Sequence, residues 1–537
     1  MNRKIRVLAL ACALALVAAS AGAQGPAYDL VVRSGRVLDG AGNPWILADV
    51  GITGDRVAAI GAIPPGAGRA EIDARGLVVC PGFIDVHTHC DTGLVAHPEV
   101  RNYLLQGVTT VIGGNCGDSP FPLARLFARL RASGMSLNFA CLVGHNTIRH
   151  EVMGDADRDP SEAELARMSE LVTQEMESGA IGLSTGLAYL PGRYAKTEEI
   201  VRLAQAIQPY DGIYATHMRN QGARIREAIE EAVQVGREAG VRVEISHVKL
   251  AEESVWGQRE RIVEPVEAAR RAGVEIATDQ YPYTATSSPF TSSFPGWAVE
   301  GGHDAFVARM KDPAKRAEAR QALIEKRLTS SRGLDPLDRI YVAESKLHPD
   351  YDGRTLAQIL ARLGRARSRA NAAELIIEME EADQPLGVFF QMDEKDVEAL
   401  MRMPWNMIGS DGEVAVPGQG SPHPRYYGTF PRVLGTYVRE RHVLTLPEAV
   451  RRMTSLPAQA MRLTDRGLLR PGMAADLCVF DADSVRDMAT YDHPHQYPRG
   501  IRWVIVNGRI AAHDGEVVAA DAGRLLTNRG RVVGGGR

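Results

Sequence analysis

Six side chains that could bind a metal ion stand at the ends of short apolar runs. They are His87 and His89 in "FIDVHTH", Cys116 in "VTTVIGGNC", His217 in "GIYATH", His247 in "VRVEISH" and Asp411 in "WNMIGSDG". Positions two apart on an extended strand share a face, so His87 and His89 can point to the same side. Imidazole, thiolate and carboxylate groups together suit zinc. If the runs are neighbouring strands, the sequence predicts a zinc site at their common edge.

Cys116 is the least typical member of this set, and four roles are open to it: half of a disulfide, nucleophile, metal ligand or small core residue. Without Cys12, which lies in the N-terminal segment described next, an odd number of cysteines remains: Cys80, Cys90, Cys116, Cys141 and Cys478. An odd count in a long chain argues against a disulfide framework. A nucleophile would need a base of its own, whereas zinc would deprotonate the thiol directly. We therefore expect a metal ligand.

The N-terminus has the pattern of a secretory signal. The basic residues of "NRKIR" precede the apolar run "VLALACALALVAA", which is followed by small residues at Ala21 and Ala23. This pattern predicts a signal peptide over residues 1–23 that is cleaved on export. The alternative is an uncleaved anchor helix, but the run is short for a bilayer span. We expect an exported protein, periplasmic or secreted, with no stable membrane anchor.

The runs that carry the candidate ligands belong to a series of eight strand patterns. They cover residues 76–89, 107–116, 137–145, 180–187, 212–218, 241–249, 274–283 and 405–412. Helical patterns separate them, such as "SEAELARMSELVTQEMESG", where Ser161 and Glu164 can form a capping box. Alternating strands and helices imply parallel pairing. Eight such units predict a (β/α)8 barrel with its active site at the carboxyl ends of the strands. The competing open sheet would favour a G-x-G-x-x-G turn after the first strand, and none is present.

The segments on either side of this barrel have a different pattern of residues. Residues 24–80 and 466–537 alternate apolar and polar positions between glycine-rich turns, and each piece is too short to be stable alone. They predict one small β-sandwich built from both chain ends, flanking a barrel over 81–465. Residues 284–404, before the eighth strand, are far too long for an ordinary connection and predict a cap over the barrel mouth.

Composition limits the partners of the protein. The formal net charge of -4 over 537 residues is too balanced for a nucleic-acid or acidic-membrane surface. We therefore expect a small-molecule substrate and no nucleic acid. The oligomeric state stays open.

Longer motifs surround the candidate ligands. They are "PGFIDVHTH", "GNCG", "GLSTGL", "THMR", "ISHVK", "DQYPYT", "GSDG" and "PHPRYYGTF". Together they resemble the D-aminoacylase (N-acyl-D-amino-acid deacylase) family of the amidohydrolase superfamily, over nearly the whole mature chain. Most amidohydrolases carry a carboxylated lysine on the fourth strand, where this chain has Ser184 and Thr185. In the D-aminoacylase branch a second-strand cysteine is the metal ligand instead, and Cys116 occupies that position.

The resemblance implies specific roles for the candidate ligands. Cys116, His217 and His247 would hold a tight zinc ion, and His87, His89 and Asp411 would frame a second, weaker site. The implied reaction is hydrolysis of the amide bond of an N-acyl-D-amino acid. Asp411 would take a proton from the attacking water and deliver it to the leaving amine.

The substrate's α-carboxylate needs cations and donors. Lys249 and Arg425 lie in matching motifs, and Arg425 can hold a carboxylate through two hydrogen bonds. Tyr281 or Tyr283 in "DQYPYT" would add a hydroxyl donor, and spacing does not choose between them.

Two alternatives to a deacylase remain. An exported dipeptidase for L-Xaa-D-Xaa dipeptides could use the same carboxylate pocket, and a non-catalytic zinc-binding protein could keep the fold. For the D side chain, the stretch 284–302 contains Phe290, Phe294 and Trp297 but no lysine or arginine. This composition predicts an apolar pocket and a neutral, hydrophobic D-residue, since an unpaired acidic group there would be costly.

Overall fold

The structure of the protein is a computed structural model that describes residues 27–330 and 332–528. The predicted signal peptide, residues 1–23, lies outside these ranges. Within them, no helix is long and apolar enough to cross a membrane.

The strands are β1 (Tyr28–Val37), β2 (Ile46–Thr53), β3 (Arg56–Gly61), β4 (Gly68–Asp73), β5 (Val78–Pro81), β6 (Phe83–Asp85), β7 (Val108–Gly113), β8 (Asn138–Cys141), β9 (Val143–Gly144), β10 (Gly182–Gly186), β11 (Ile213–His217), β12 (Arg242–Ile245), β13 (Ile276–Gln280), β14 (Ala285–Pro289), β15 (Ile340–Glu344), β16 (Leu386–Phe390), β17 (Asn406–Ile408), β18 (Leu477–Phe480), β19 (Ile501–Val506), β20 (Arg509–His513) and β21 (Glu516–Val517). The α-helices are α1 (Gly93–Ala96), α2 (Arg101–Leu104), α3 (Leu123–Ser133), α4 (His145–Met153), α5 (Glu162–Ser178), α6 (Thr197–Ile207), α7 (Ile225–Ala239), α8 (Glu260–Arg271), α9 (Gly296–Val299), α10 (Gly302–Met310), α11 (Pro313–Arg327), α12 (Leu356–Arg362), α13 (Arg369–Asp383), α14 (Glu394–Met401), α15 (Arg425–Arg432), α16 (Leu446–Met453) and α17 (Ser455–Ala460).

The eight predicted barrel strands are present and run parallel. One part of the wall is β6-β7-β8 and the other is β9-β10-β11-β12-β13-β17, with β8 and β9 forming one interrupted third strand. A parallel bridge between Thr88 and Gly412 joins the ends of the first and eighth strands. Asp85 also links them, because its Oδ1 accepts hydrogen bonds from the backbone N–H groups of His87 and Ser410. The predicted (β/α)8 barrel is confirmed.

One predicted strand divides into two. Residues 76–89 read as a single run, but β5 pairs with β1 and β18 in the flanking sheet, whereas β6 pairs with β7 in the barrel. The break lies at Gly82, where an added Cβ would stand 2.2 Å from the side chain of Thr109. Only glycine allows the chain to pass this close to the neighbouring strand as it changes sheets.

Both chain ends build the flanking β-domain, as predicted. Strands β1 to β5 and β18 to β21 form one nine-stranded sheet in which β18, from the C-terminal part, pairs with β5. Buried aliphatic residues such as Val32, Val50 and Leu477 fill its core.

The insertion before the eighth strand forms a cap. Strands β14, β15 and β16 make a small antiparallel sheet, which packs with helices α9 to α13 around a separate hydrophobic core. The cap contacts loops at the strand ends, for example where Trp256 donates a hydrogen bond to the carbonyl of Gln391. It therefore borders the mouth of the barrel.

Local signals fix the barrel helices. Helix α5 begins with the predicted capping box, in which Ser161 and Glu164 each bind the other's backbone. It ends at Gly179 and α7 ends at Gly240, both in the left-handed conformation that glycine adopts easily. These ends return the chain to the next strand.

Candidate metal centre

The structure brings the six predicted ligands together at the carboxyl ends of the strands. Sγ of Cys116 lies 3.4 Å from Nε2 of His87, 3.6 Å from Nδ1 of His217 and 3.5 Å from Nε2 of His247. His89 is partly exposed, and the other five side chains are buried. Ligand atoms of three such trios lie within 4.8 Å of one another: His87, His89 and Cys116; Cys116, His217 and His247; and His87, His247 and Asp411.

These separations fit zinc. In a tetrahedral site with Zn–S of about 2.3 Å and Zn–N of about 2.0–2.1 Å, a sulfur and a nitrogen ligand lie about 3.5 Å apart. Cys116 stands at this distance from His217 and from His247. The thiolate and two imidazoles could thus supply three protein ligands to a zinc ion and would leave a fourth position for water or substrate.

The electrostatics favour a metal-binding thiolate. Burial alone would raise the pKa of Cys116, but the charge of His87 and hydrogen bonds with three imidazoles lower it well below its usual range. Burial and the charge of Lys249 lower the pKa of His247 to about 3, so this ring is neutral. An ionised thiol and a neutral imidazole are the forms that bind a metal ion.

Asp411 is held from two sides beside this trio. Its Oδ1 lies 3.1 Å from Nε2 of His89 and 3.5 Å from Nε2 of His87. Its Oδ2 lies 2.7 Å from Nη1 of Arg425. Burial opposes ionisation, but the charge of Arg425 and a hydrogen bond with His89 hold the pKa of Asp411 well below its usual range. The carboxylate is therefore ionised next to the candidate ligands.

Three of the six residues have a left-handed backbone. The φ angles are 54° at Cys116, 37° at His247 and 51° at Asp411, a region that residues other than glycine rarely adopt. Each of these residues follows the end of a barrel strand, where the chain turns toward the mouth. Backbone strain of this kind clusters at functional sites, where the surrounding structure holds it in place.

Ser184 on β10 fixes the loop that carries Cys116. Its hydroxyl donates a hydrogen bond to the carbonyl of Gly114 and accepts one from the N–H of Gly117, 3.0 Å away. From the sequence, Ser184 stands out only because it lies where most amidohydrolases have a lysine. Its spacing from Cys116 gave no sign of this contact.

Sequence reasoning also missed two carboxyl groups behind His87. Nδ1 of His87 lies 3.5 Å from Oδ2 of Asp279, and Glu244 completes a buried trio with them. Burial and the charge of Asp279 raise the pKa of Glu244 well above its usual range, whereas the charge of His87 overcomes burial and lowers that of Asp279. A carboxylate on the second nitrogen of a ligating histidine orients the ring.

The structure separates the two candidate tyrosines. The ring of Tyr281 lies 5.3 Å from Nζ of Lys249 and 4.8 Å from the guanidinium of Arg425. Its buried hydroxyl, like Nε of Arg425, has no hydrogen-bond partner among the described residues. Tyr283 instead donates to the carbonyl of Pro424 and stacks with Arg432. Of the two, Tyr281 lies with Lys249 and Arg425.

Gln221 and Tyr189 complete this region, and sequence reasoning identified neither. Lys249 donates a hydrogen bond to Oε1 of Gln221, whose Nε2 lies 3.1 Å from Nδ1 of His247. The ring of Tyr189 lies 4.5 Å from that of His217. The hydroxyl of Tyr189 forms no hydrogen bond within the part of the chain that the structure describes, so it is free to donate to a substrate.

The prediction that aromatic residues of the stretch 284–302 line an apolar substrate pocket is wrong. Phe290 and Phe294 are fully buried in the core of the cap, where they pack edge-to-face on Phe389 and Phe306. Trp297 is partly buried against the same core, under the ammonium group of Lys315. These aromatic rings pack among themselves because the cap has a hydrophobic core of its own to fill.

Comparisons with known proteins agree with this geometry. Residues 70–512 match the amidohydrolase family. The D-aminoacylase of Alcaligenes xylosoxydans xylosoxydans is 36% identical over 523 residues, which cover 93% of this chain and 97% of the relative. The N-acyl-D-glutamate deacylase of the same organism is 37% identical over 503 residues, covering 89% and 93%. The crystal structure of N-acyl-D-glutamate deacylase from Bordetella bronchiseptica, complexed with zinc and a phosphonate mimic of the tetrahedral intermediate, matches with a TM-score of 0.78 at 34% identity, covering 93% of this chain and 99% of that one.

Proposed function

The chain belongs to the amidohydrolase family, and on that premise we propose that it is a zinc-dependent N-acyl-D-amino-acid deacylase. It hydrolyses the amide bond and releases a carboxylate and a free D-amino acid. The observation that best supports this function is that a candidate zinc site lies next to a candidate binding site for a carboxylate. A thiolate and two imidazoles at zinc spacing stand next to Lys249, Tyr281 and Arg425, which present two unsatisfied buried donors.

The residues that would hold the tight zinc ion are Cys116, His217 and His247. His87 and His89, with Asp411, would frame a second and weaker site. Bound zinc would supply a Lewis acid that polarises the scissile carbonyl and activates a water molecule for attack.

Asp411 performs the proton transfer. Its carboxylate is ionised and fixed by His89 and Arg425, so it can accept a proton from the attacking water without rearranging. The same group then gives the proton to the leaving nitrogen, which would otherwise depart as a poor leaving group. The Tyr189 hydroxyl, beside His217, can donate a hydrogen bond to the carbonyl oxygen as negative charge develops there.

The stereochemistry follows from two fixed points. Lys249, Tyr281 and Arg425 anchor the α-carboxylate, and the ligand cluster fixes the amide carbonyl. With two substituents of the chiral carbon held, the D and L side chains must point in different directions. Only one enantiomer can then bind productively.

One assay separates the deacylase from its alternatives. Zinc content is measured together with kcat/KM for N-acetyl-D-methionine, N-acetyl-L-methionine and the dipeptide L-Ala-D-Leu. We expect about one tightly bound zinc ion per chain and a strong preference for the D-acyl substrate. Equal rates on both enantiomers would refute the proposal, faster cleavage of the dipeptide would favour a dipeptidase, and zinc without turnover would favour a binding protein.

Export to the periplasm or beyond is part of the proposal. It is supported by the basic, apolar and small-residue segments over residues 1–23. Cell fractionation with N-terminal sequencing of the mature protein tests it, and we expect cleavage after Ala23. A cytoplasmic protein that keeps its first residues would contradict export and leave the catalytic proposal intact.

A further inference from the structure

His423 lies between two prolines in the sequence "SPHPR", just before helix α15, which begins with Arg425. Pro422 and Pro424 have no backbone N–H group, and each restricts its own φ angle and the conformation of the residue before it. The first N–H groups of a helix have no partner within the helix. The N–H of Arg425 is one of them, and it donates a hydrogen bond to Nδ1 of His423, 3.0 Å away. The ring of His423 therefore fixes the start of α15.

The second nitrogen of the same ring contacts the cap. A backbone N–H group can only donate, so Nδ1 of His423 accepts and Nε2 carries the proton. Nε2 lies 3.0 Å from the carbonyl oxygen of Ala285 and donates to it. Ala285 is the first residue of β14, where it is fully buried and pairs with Phe390 of β16 in the cap sheet. One imidazole thus joins the helix of Arg425 to the cap.

The surroundings of the ring keep it neutral and in place. His423 is fully buried, and Tyr283 and Tyr491 pack edge-on against it with ring centroids 5.2 Å and 5.1 Å away. Burial and the charge of Arg425 lower the pKa of His423 well below its usual range, so the ring keeps the form that both accepts and donates. A phenylalanine ring would fill this space but could form neither hydrogen bond.

The side chain of Arg425 extends from the backbone that His423 holds into the candidate substrate site. Its Nη1 lies 2.7 Å from Oδ2 of Asp411, and its guanidinium lies 4.8 Å from the ring centroid of Tyr281. Tyr281 in turn is separated from Ala285 by only three residues. The candidate substrate site and the base of the cap are therefore joined twice, once by the chain itself and once by the imidazole of His423.

We propose that His423 is a positioning residue for recognition of the substrate's α-carboxylate. Its ring holds Arg425 against the first strand of the cap, so that Lys249, Tyr281 and Arg425 form a complete carboxylate receptor only when the cap is docked on the barrel. The inference rests on the deacylase function proposed above. It deepens that function, because it adds a residue that acts through Arg425 and does not touch the substrate.

An uncharged analogue of the substrate separates this role from general damage to the site. The KM of N-acetyl-D-methionine and the inhibition constant of N-acetyl-D-methioninamide are measured in one assay, together with the zinc content of the protein. The amide lacks the negative charge that Arg425 would bind. Loss of positioning through Arg425 should weaken binding of the acid alone, whereas a loosened site should weaken binding of both compounds.

Two variants of His423 each keep one of its hydrogen bonds. His423→Gln keeps a donor near Nε2 but removes the acceptor for Arg425, and it should raise the KM of the acid at least about tenfold, the loss of a hydrogen bond to a charged group. The inhibition constant of the amide should stay within about threefold, with the zinc content unchanged. His423→Asn keeps the acceptor but loses the bond to Ala285, and it should raise the KM by a smaller factor. His303→Gln is the matched control, because His303 bonds to the carbonyl of Glu380 within the cap, and it should keep both constants.

The outcomes separate failure of the positioning role from failure of the function. Equal rises in the two constants, or an unchanged KM in His423→Gln, would overturn the positioning role. A wild-type KM in His423→Asn would overturn its dependence on the cap. If His423→Gln fails to fold, His423→Phe takes its place with the same expected result. Absence of hydrolysis of N-acetyl-D-amino acids by the zinc-loaded wild-type protein would overturn the deacylase function, and this inference with it.

Discussion

The barrel and the cap meet at the mouth of the barrel, but their polar groups are brought into place in different ways. In the barrel, each candidate ligand ends its strand or follows it within four residues, and the strand order alone brings His87, Cys116 and His217 together. In the cap, Arg327 and Ser293 are 34 positions apart, and a hydrophobic core must form before they meet. Polar groups at strand ends and polar contacts within an inserted cap are therefore encoded differently in the sequence.

Removal of the thiol should have the largest effect, because the cluster around Cys116 depends on it. Cys116→Ala leaves two imidazoles where three protein ligands are needed. We expect purified protein with less than about a tenth of the wild-type zinc and no measurable turnover. Cys478→Ala is the matched control, since this thiol is buried in the β-domain, and it should keep its zinc. Full zinc occupancy in Cys116→Ala would contradict ligation by the thiolate.

The second-largest effect should separate the proposed proton-transfer group from the proposed ligands of the tight zinc ion. Asp411→Asn keeps the size of the side chain but removes the basic oxygen and the charge that pairs with Arg425. We expect the tight zinc to stay and kcat to fall about 10²–10⁴-fold, the usual range for loss of a general acid–base group. Zinc analysis beside steady-state kinetics checks this, and a near-normal kcat would show that another group moves the proton.

This contrast also explains how far the sequence could predict the molecule. The barrel and the meeting of the six candidate ligands at one edge were predictable, because a strand and the residues that follow it are local signals. The sequence could not show which of Tyr281 and Tyr283 lies at the site, because on a continuous strand positions two apart share a face. In the structure β13 ends at Gln280, and the chain turns before it reaches either tyrosine. The contact between Arg327 and Ser293 was not predictable, because nothing in the sequence of α11 indicates which loop its last residue contacts.

A smaller effect should follow when the support of the thiolate is weakened. Ser184→Ala removes one donor and one acceptor from the loop of Cys116. Loss of such supporting contacts lowers metal affinity by about 10–100-fold, so we expect zinc to be lost to a chelator at a lower concentration. Competition with a chromogenic chelator measures this. Ser169→Ala on α5 is the control, and an identical zinc affinity in Ser184→Ala would remove Ser184 from the site.

The smallest effect on catalysis should come from a substitution in the hydrophobic core of the cap. It tests whether that core is separate from the substrate pocket. Phe294 is fully buried against Phe306, so Phe294→Leu should lower the free energy of unfolding by about 1 kcal/mol, as a change of shape in a packed core does. Because the ring does not line the mouth, the ratio of kcat/KM for N-acetyl-D-leucine to that for N-acetyl-D-alanine should stay within about twofold, since a pocket contact would be worth 10-fold or more. Thermal denaturation and the two substrates measure both quantities in one preparation. A change in that ratio without loss of stability would return Phe294 to the substrate pocket, and the core of the cap would then contribute to the choice of substrate.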